Sequence, residues 1–184
     1  CDDEVTIKKA SVPIGMRLRE TKISVGTETR FRLGSMDSSL GKKTYTVGNP
    51  NVASVSSKGL VTALKVGTTK ITVKAAGSRN YKAASKTFTL KVVPGEVERF
   101  AAKNLASGIK LAWTKVPGAK GYLLYRKTGS GSYSQIKKIT DPKQLSYVDK
   151  SGLKNGKKYT YKILPYADTG AGRLPKTKTI TRQG

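Results

Sequence analysis

The chain has 184 residues, enough for one large domain or two small ones, and it contains no histidine and one cysteine, Cys1. Without histidine there is no imidazole base, no histidine-containing triad and no histidine metal ligand. Without a second cysteine there is no internal disulfide and no zinc–thiolate cluster. The 36 Lys and Arg residues outnumber the 11 Asp and Glu residues, which gives a net charge of +25 and favours polyanionic partners.

Residues 1–16 form a weakly patterned lead-in. Val5 and Ile7 alternate with polar neighbours and predict an edge strand, which Pro13 and Gly15 end. From Leu18 onward, apolar residues recur with the period of two that is typical of strands. The first alternating pairs are Ile23 and Val25, Phe31 and Leu33, and Tyr45 and Val47.

The stretch Asn49–Ala75 predicts three short strands separated by Gly, Asn and Ser turns. These strands are Val52–Val55, Leu60–Leu64 and Thr69–Ala75, and Thr87–Val92 closes the unit. About seven strands in roughly 75 residues is the spacing of a β-sandwich.

Pro94 and Gly95 mark a boundary, because proline removes a ladder donor and glycine loosens the chain. Beyond it the alternation resumes, with Gly129–Ser132 as a hairpin tip, whereas Ala101–Leu105 is too short for a helix. The inward residues are expected to be Ile109, Leu111, Trp113, Tyr122, Leu124, Tyr159, Tyr161 and Ile163. We therefore predict an all-β chain of two tandem immunoglobulin-like β-sandwiches, 17–94 and 95–184, after the lead-in 1–16.

Three ordered strings stand out in the first unit: Asn49–Val55, Gly59–Leu64 and Gly67–Val73. On these strings, residues 17–94 resemble a group 2 bacterial immunoglobulin-like domain. Tyr45 stands where many members of that family have tryptophan, which is a conservative core change.

The second unit has Trp113 followed by Val116–Ala119, then Gly121–Arg126, and later Leu153–Tyr159. It resembles a fibronectin type III domain of the bacterial surface kind, over about residues 95–182. The resemblance implies structural roles for Trp113, Tyr122, Leu153 and Tyr159. Tyr159 would form the family's tyrosine corner, in which the hydroxyl bonds to nearby backbone, although Asn155 replaces the usual proline.

Neither resemblance supplies catalytic residues, and the chain is expected not to be an enzyme. Most of the acidic residues lie at predicted turns or termini, where they are expected to be solvated. We expect no catalytic site, no metal site and no cofactor.

Cys1 is a candidate for lipid attachment, because a processed bacterial lipoprotein begins with a lipidated cysteine. The alternatives are an ordinary thiol and a cut made at this position. A membrane contact is expected only through such a lipid.

Tyrosines and lysines supply the other candidate contacts, because an exposed aromatic ring beside a cation can stack on a sugar. The candidate residues for a polyanion or glycan are Tyr125, Lys127, Lys137, Lys138, Lys157, Lys158 and Lys162. Tyr125 is out of phase with Tyr122 and should face outward, whereas Tyr133 and Tyr147 lie near loop ends. The alternative for these tyrosines is ordinary cross-strand packing.

The leading hypothesis is a non-catalytic structural or adhesion module of a bacterial surface protein, located outside the cell. The alternatives are a basic module that binds an anionic cell-wall polymer or host glycan, and an accessory spacer of a secreted carbohydrate-active enzyme. The expected partner is a protein or an anionic polymer at the cell surface. Sequence-specific binding of nucleic acid is not expected, since no recognition helix or RNA-binding motif is present.

Overall fold

The computed structural model describes residues 8–11, 14–32 and 39–184. These residues form sixteen β-strands and no α-helix. The chain divides into two compact units, Cys1–Val92 and Val93–Gly184. The prediction of an all-β chain with tandem immunoglobulin-like sandwiches is confirmed.

The first unit contributes two four-stranded sheets. One is antiparallel, in the order β1-β3-β6-β5, and the other has the order β2-β8-β7-β4, in which β7 is antiparallel to both β8 and β4. The strands are β1 (Arg17–Leu18), β2 (Lys22–Ser24), β3 (Glu28–Arg32), β4 (Lys43–Val47), β5 (Ala53–Val55), β6 (Leu60–Ala63), β7 (Gly67–Ala75) and β8 (Ala84–Val93).

Alternation along β7 builds the core of the first unit. Ile71, Val73 and Ala75 are buried, while Lys70 and Lys74, which alternate with them along the strand, are exposed. Facing side chains from both sheets complete the core, among them Ile23, Ala53, Val61 and Leu90.

Part of the sequence-defined lead-in belongs to this core. Ile14 is 4% exposed and Met16 is fully buried, and both pack with Leu40 and Val73. Their apolar side chains fill the sandwich although no steady alternation precedes Arg17. The predicted edge strand at Val5 and Ile7, Pro13, and the predicted inward residue Leu33 lie outside the described residues.

The second unit has an antiparallel three-stranded sheet, β13-β10-β9, and a five-stranded sheet in which β14 pairs with β11, β15 and β16 and β11 pairs with β12. The strands are β9 (Phe100–Leu105), β10 (Gly108–Trp113), β11 (Gly121–Thr128), β12 (Ser134–Ile139), β13 (Ser146–Asp149), β14 (Lys158–Ala167), β15 (Gly170–Ala171) and β16 (Lys176–Thr181).

The core of the second unit lies between its two sheets. Its buried members are Val97, Phe100, Ile109, Leu111, Trp113, Val116, Tyr122, Leu124, Ile139, Tyr159, Tyr161 and Ile163. Pro165 lies within β14 but falls between the last residue that pairs with β16, Ile163, and the first that pairs with β15, Tyr166. The ladder therefore tolerates the missing proline N–H at this point.

Candidate functional site

The solvent side of the five-stranded sheet brings together several of the residues singled out in the sequence. Along β11 the inward side chains Tyr122 and Leu124 alternate with Tyr125 and Lys127, which point to the opposite face. On the neighbouring strand, Lys162 is paired with Tyr125 in the ladder and points the same way. The contacts between these strands form two neighbouring groups of rings and cations, which together we call the tyrosine–lysine face. It consists of Tyr125, Lys127, Tyr133, Lys138, Lys162 and Tyr166.

Lys162 lies at the centre of one half of this face. Its Nζ atom is 4.6 Å from the ring centroid of Tyr125 and 4.4 Å from that of Tyr133. The Nζ atom of Lys127 is 5.2 Å from the same Tyr133 ring. Ammonium groups at these distances are attracted to the aromatic quadrupole, by about 0.5–1 kcal/mol at an exposed site. The contacts therefore hold two ammonium groups and two rings in a defined arrangement.

A β-bulge places Tyr133 in this cluster. Leu124 pairs with Lys137, but the next residue, Tyr125, pairs with Gln135, so Ile136 is an extra residue on β12. One extra residue reverses which face the following side chains occupy. When the shifted register is continued for two residues beyond the pair of Tyr125 and Gln135, Tyr133 lies opposite Lys127, on the outer side of the sheet.

Gly121 allows the second half of the face to form. Tyr166 is paired with Gly121, and the Nζ atom of Lys138 on β12 lies 5.0 Å from the Tyr166 ring. A Cβ atom at Gly121 would approach the Tyr166 ring to 2.9 Å and would collide with the backbone oxygen of Ile139. The absent side chain thus lets the ring lie across β11 toward Lys138.

The strands that carry the face have charge of one sign only. β11, β12, β14 and β16 contain eight Lys and Arg residues and no Asp or Glu. The half-buried Leu123 and Leu164, which pair with each other, separate the two clusters of rings and cations. The face is therefore a basic surface that also carries aromatic rings.

The remaining polyanion candidates, Lys137, Lys157 and Lys158, lie on the second unit outside the tyrosine–lysine face as defined above. Lys158 belongs to the same outward series of β14 as Lys162. Lys137 pairs with the inward residue Leu124 and is exposed on β12, and Lys157 is exposed in the turn before β14. Cys1, the candidate for lipid attachment, lies outside the described residues.

The predicted structural residues occupy the core and one strand corner. Trp113 and Tyr122 are buried with ring centroids 5.3 Å apart, and the backbone N–H of Val116 donates to the Tyr122 hydroxyl at 3.1 Å. Tyr159 is buried, and its hydroxyl accepts from the backbone N–H of Lys154 at 2.9 Å. Leu153 is half-buried and packs against the core.

A buried polar network also joins the two sheets of the second unit. Asp149 is 1% exposed and accepts from the Arg126 guanidinium at 2.7 Å and from the Tyr161 hydroxyl at 2.8 Å. Burial, together with the hydrogen bond to Asp149, raises the pKa of Tyr161 above its ordinary value. The network stabilises the packing of the two sheets, because all three groups point into the sandwich.

Other surfaces of the described chain offer less organised chemistry. A depression of about 250 Å³ on the first unit is lined by residues of both charges, namely Arg19, Glu20, Glu28, Thr29, Arg30 and Leu60. Within residues 8–11, 14–32 and 39–184, no three Cys, Asp or Glu side chains gather as a metal site would require. Over those ranges the structure also has no helix that could cross a membrane.

The fold and the core place both units among immunoglobulin-like β-sandwiches. Residues 20–87 match the family model of the bacterial Ig-like domain (group 2), within the range that the sequence strings indicate. The predicted resemblance of the first unit to that family is thus confirmed. A comparison with curated protein sequences finds no significant match.

Solved structures extend the likeness over both units. A segment of two fibronectin type III domains from chicken tenascin matches with a TM-score of 0.53 and 12% identity, covering 90% of this chain and 97% of that one. The FN1–FN3 domains of chicken CNTN1 match with a TM-score of 0.45 and 14% identity, covering 96% and 69%. At such identities the likeness concerns the fold alone. Family and fold together suggest a non-catalytic module of the kind that occurs in bacterial surface proteins.

Proposed function

We propose that the chain is a non-catalytic extracellular module of a bacterial surface protein and that it serves as a structural or adhesion unit. The observation that carries this proposal is the family match of the first unit to the bacterial Ig-like domain (group 2). Two β-sandwiches, each with its own core, are well suited to presenting a surface, because rigid scaffolds position binding groups at little entropic cost.

Antibody labelling of intact cells of the source bacterium tests this location. We expect the chain to be detected on unpermeabilised cells and to be removed by external protease. Detection only after permeabilisation would contradict the proposal.

A second candidate function, binding of an anionic polymer of the cell wall or of a host, is favoured by the tyrosine–lysine face. The face combines three ammonium groups and three rings on strands without a carboxylate. An anionic chain laid along this surface would meet attraction from every strand.

The test is retention of the full chain on an immobilised anionic polymer across a salt gradient. We expect retention at low salt and a linear fall of the logarithm of the association constant with the logarithm of salt concentration, as for polyelectrolyte ligands. Absence of retention at low salt would contradict this candidate function.

A further inference from the structure

We infer that the tyrosine–lysine face binds an acidic polysaccharide, a chain of sugar rings that carry carboxylate or sulfate groups. This inference rests on the proposed binding of anionic polymers and names the class of polymer.

The alternation of cations and rings is the first observation in favour of a sugar chain. Lys162 lies between the rings of Tyr125 and Tyr133, and Lys138 lies over Tyr166. A carboxylate or sulfate can pair with each ammonium group, while the apolar faces of the sugar rings pack on the tyrosines beside it. A ligand with both kinds of group uses the whole face.

The dimensions of the face fit a polymer better than a small molecule. Tyr166 and Lys162 are four residues apart on β14, which is about 13 Å along an extended strand. The face also crosses from β12 over β11 to β14, about 10 Å in the hydrogen-bonding direction. Such a sheet face offers contacts in sequence to an extended chain, whereas a small ligand would be left largely in water.

The first unit supplies an internal comparison that separates charge from ring chemistry. On its sheet β2-β8-β7-β4, Lys70, Lys74 and Lys91 face solvent beside threonines such as Thr72 and Thr87, which share a hydrogen bond of 2.9 Å. These four strands carry no Asp or Glu, and their outward side chains include no aromatic ring. A ligand that recognised only positive charge would use this sheet as well.

The experiment measures binding of the full chain by titration calorimetry at low salt to three probes: polygalacturonate, inorganic polyphosphate and neutral dextran. Two triple variants remove the same charge from different faces: K127Q/K138Q/K162Q on the tyrosine–lysine face, and the matched control K70Q/K74Q/K91Q on the first unit. A third variant, Y125T/Y133T, removes two rings and no charge. Fluorescence of Trp113, the one tryptophan, checks that the second unit stays folded.

We expect polygalacturonate to bind more tightly than polyphosphate at equal charge concentration, and dextran not to bind. K127Q/K138Q/K162Q should weaken polygalacturonate binding by about tenfold or more, and K70Q/K74Q/K91Q by less than about threefold. Y125T/Y133T should weaken polygalacturonate binding by about tenfold and leave polyphosphate binding unchanged.

Three further results separate the inference from the function on which it rests. Equal binding of polygalacturonate and polyphosphate, both unaffected by Y125T/Y133T, would overturn the polysaccharide inference and leave polyanion binding standing. Equal losses in the two triple variants would also overturn it, because the ligand would then respond to net charge. Failure of both charged polymers to bind would overturn the proposed polymer-binding function itself.

Discussion

Asp149 does not follow the pattern that the sequence predicts for the acidic residues of this chain. Most acidic residues of this chain were expected to be solvated, yet this carboxylate is buried between two sheets and holds Arg126 and Tyr161. Sequence could not indicate this, because the three residues come from three strands and meet only after the sandwich closes. Arg126 is a charged residue among the otherwise apolar inward-facing residues of β11, because its guanidinium binds the buried Asp149.

Replacing Asp149 by alanine should destabilise the second unit strongly. Removal of one partner leaves a guanidinium and a hydroxyl without their acceptor, at a cost of about 3–5 kcal/mol. Chemical unfolding followed by Trp113 fluorescence measures this loss. The matched control is Asp168→Ala, since Asp168 pairs with Lys120 at 2.5 Å but is 79% exposed, and such surface pairs contribute under about 1 kcal/mol. Equal losses of unfolding free energy in the two variants would contradict a stabilising role for the buried network at Asp149.

Tyr161 should make stability fall at alkaline pH. Its pKa is raised in the folded state, so above the ordinary value of 10.0 the folded chain holds a proton that the unfolded chain has released. Stability is therefore complete below that pH and decreases as pH rises further. Tyr161→Phe should lose about 1.5–3 kcal/mol at pH 7, from the missing hydrogen bond to a carboxylate, and show a flatter decline above pH 10. Parallel curves for the two proteins from pH 9 to 11 would exclude this role.

Among the elements, strands with regular alternation or clear turn punctuation were predicted well, and irregular ones were not. Thr69–Ala75 and Thr87–Val92 lie within β7 and β8, where one face is buried and the other is wet. Ala101–Leu105 belongs to β9, whose small and polar residues give no clear period. β12 does not show a period-two pattern, because its bulge at Ile136 interrupts the alternation.

The same irregularities explain what sequence missed in the candidate site. The outward direction of Tyr125 follows from its phase relative to Tyr122, but Tyr133 joins the face only through the bulge. Tyr166 joins it only because Gly121, on the neighbouring strand, leaves space for the ring. A glycine inside a strand pattern is a sequence signal that can mark such a close approach, but Gly121 alone does not say which ring approaches it.

Gly121→Ala should therefore perturb both the strand and the face. The new Cβ would press on Ile139 backbone and on the Tyr166 ring, and such overpacking costs about 1–3 kcal/mol. We expect a lower unfolding midpoint by Trp113 fluorescence and weaker binding of polygalacturonate, because the ring no longer lies beside Lys138. Unchanged stability and unchanged binding would show that the ring has another way to reach Lys138.

At the scale of the whole molecule, each unit is a sandwich with a separate core, and the positive charge is spread over both. Net charge alone therefore does not distinguish one surface from another, and the sequence left polyanion binding as one alternative among several. The feature that distinguishes the second unit is the arrangement of rings among the cations, which depends on strand register and hence on the fold.

The most direct test of this account is a chemical-shift map of the full isotope-labelled chain titrated with short galacturonate oligomers. We predict that ring signals of Tyr125, Tyr133 and Tyr166 and side-chain signals of Lys127, Lys138 and Lys162 shift together and saturate, while Lys70, Lys74 and Lys91 change little. Shifts spread evenly over the lysines of both units, with the tyrosine rings unaffected, would contradict it.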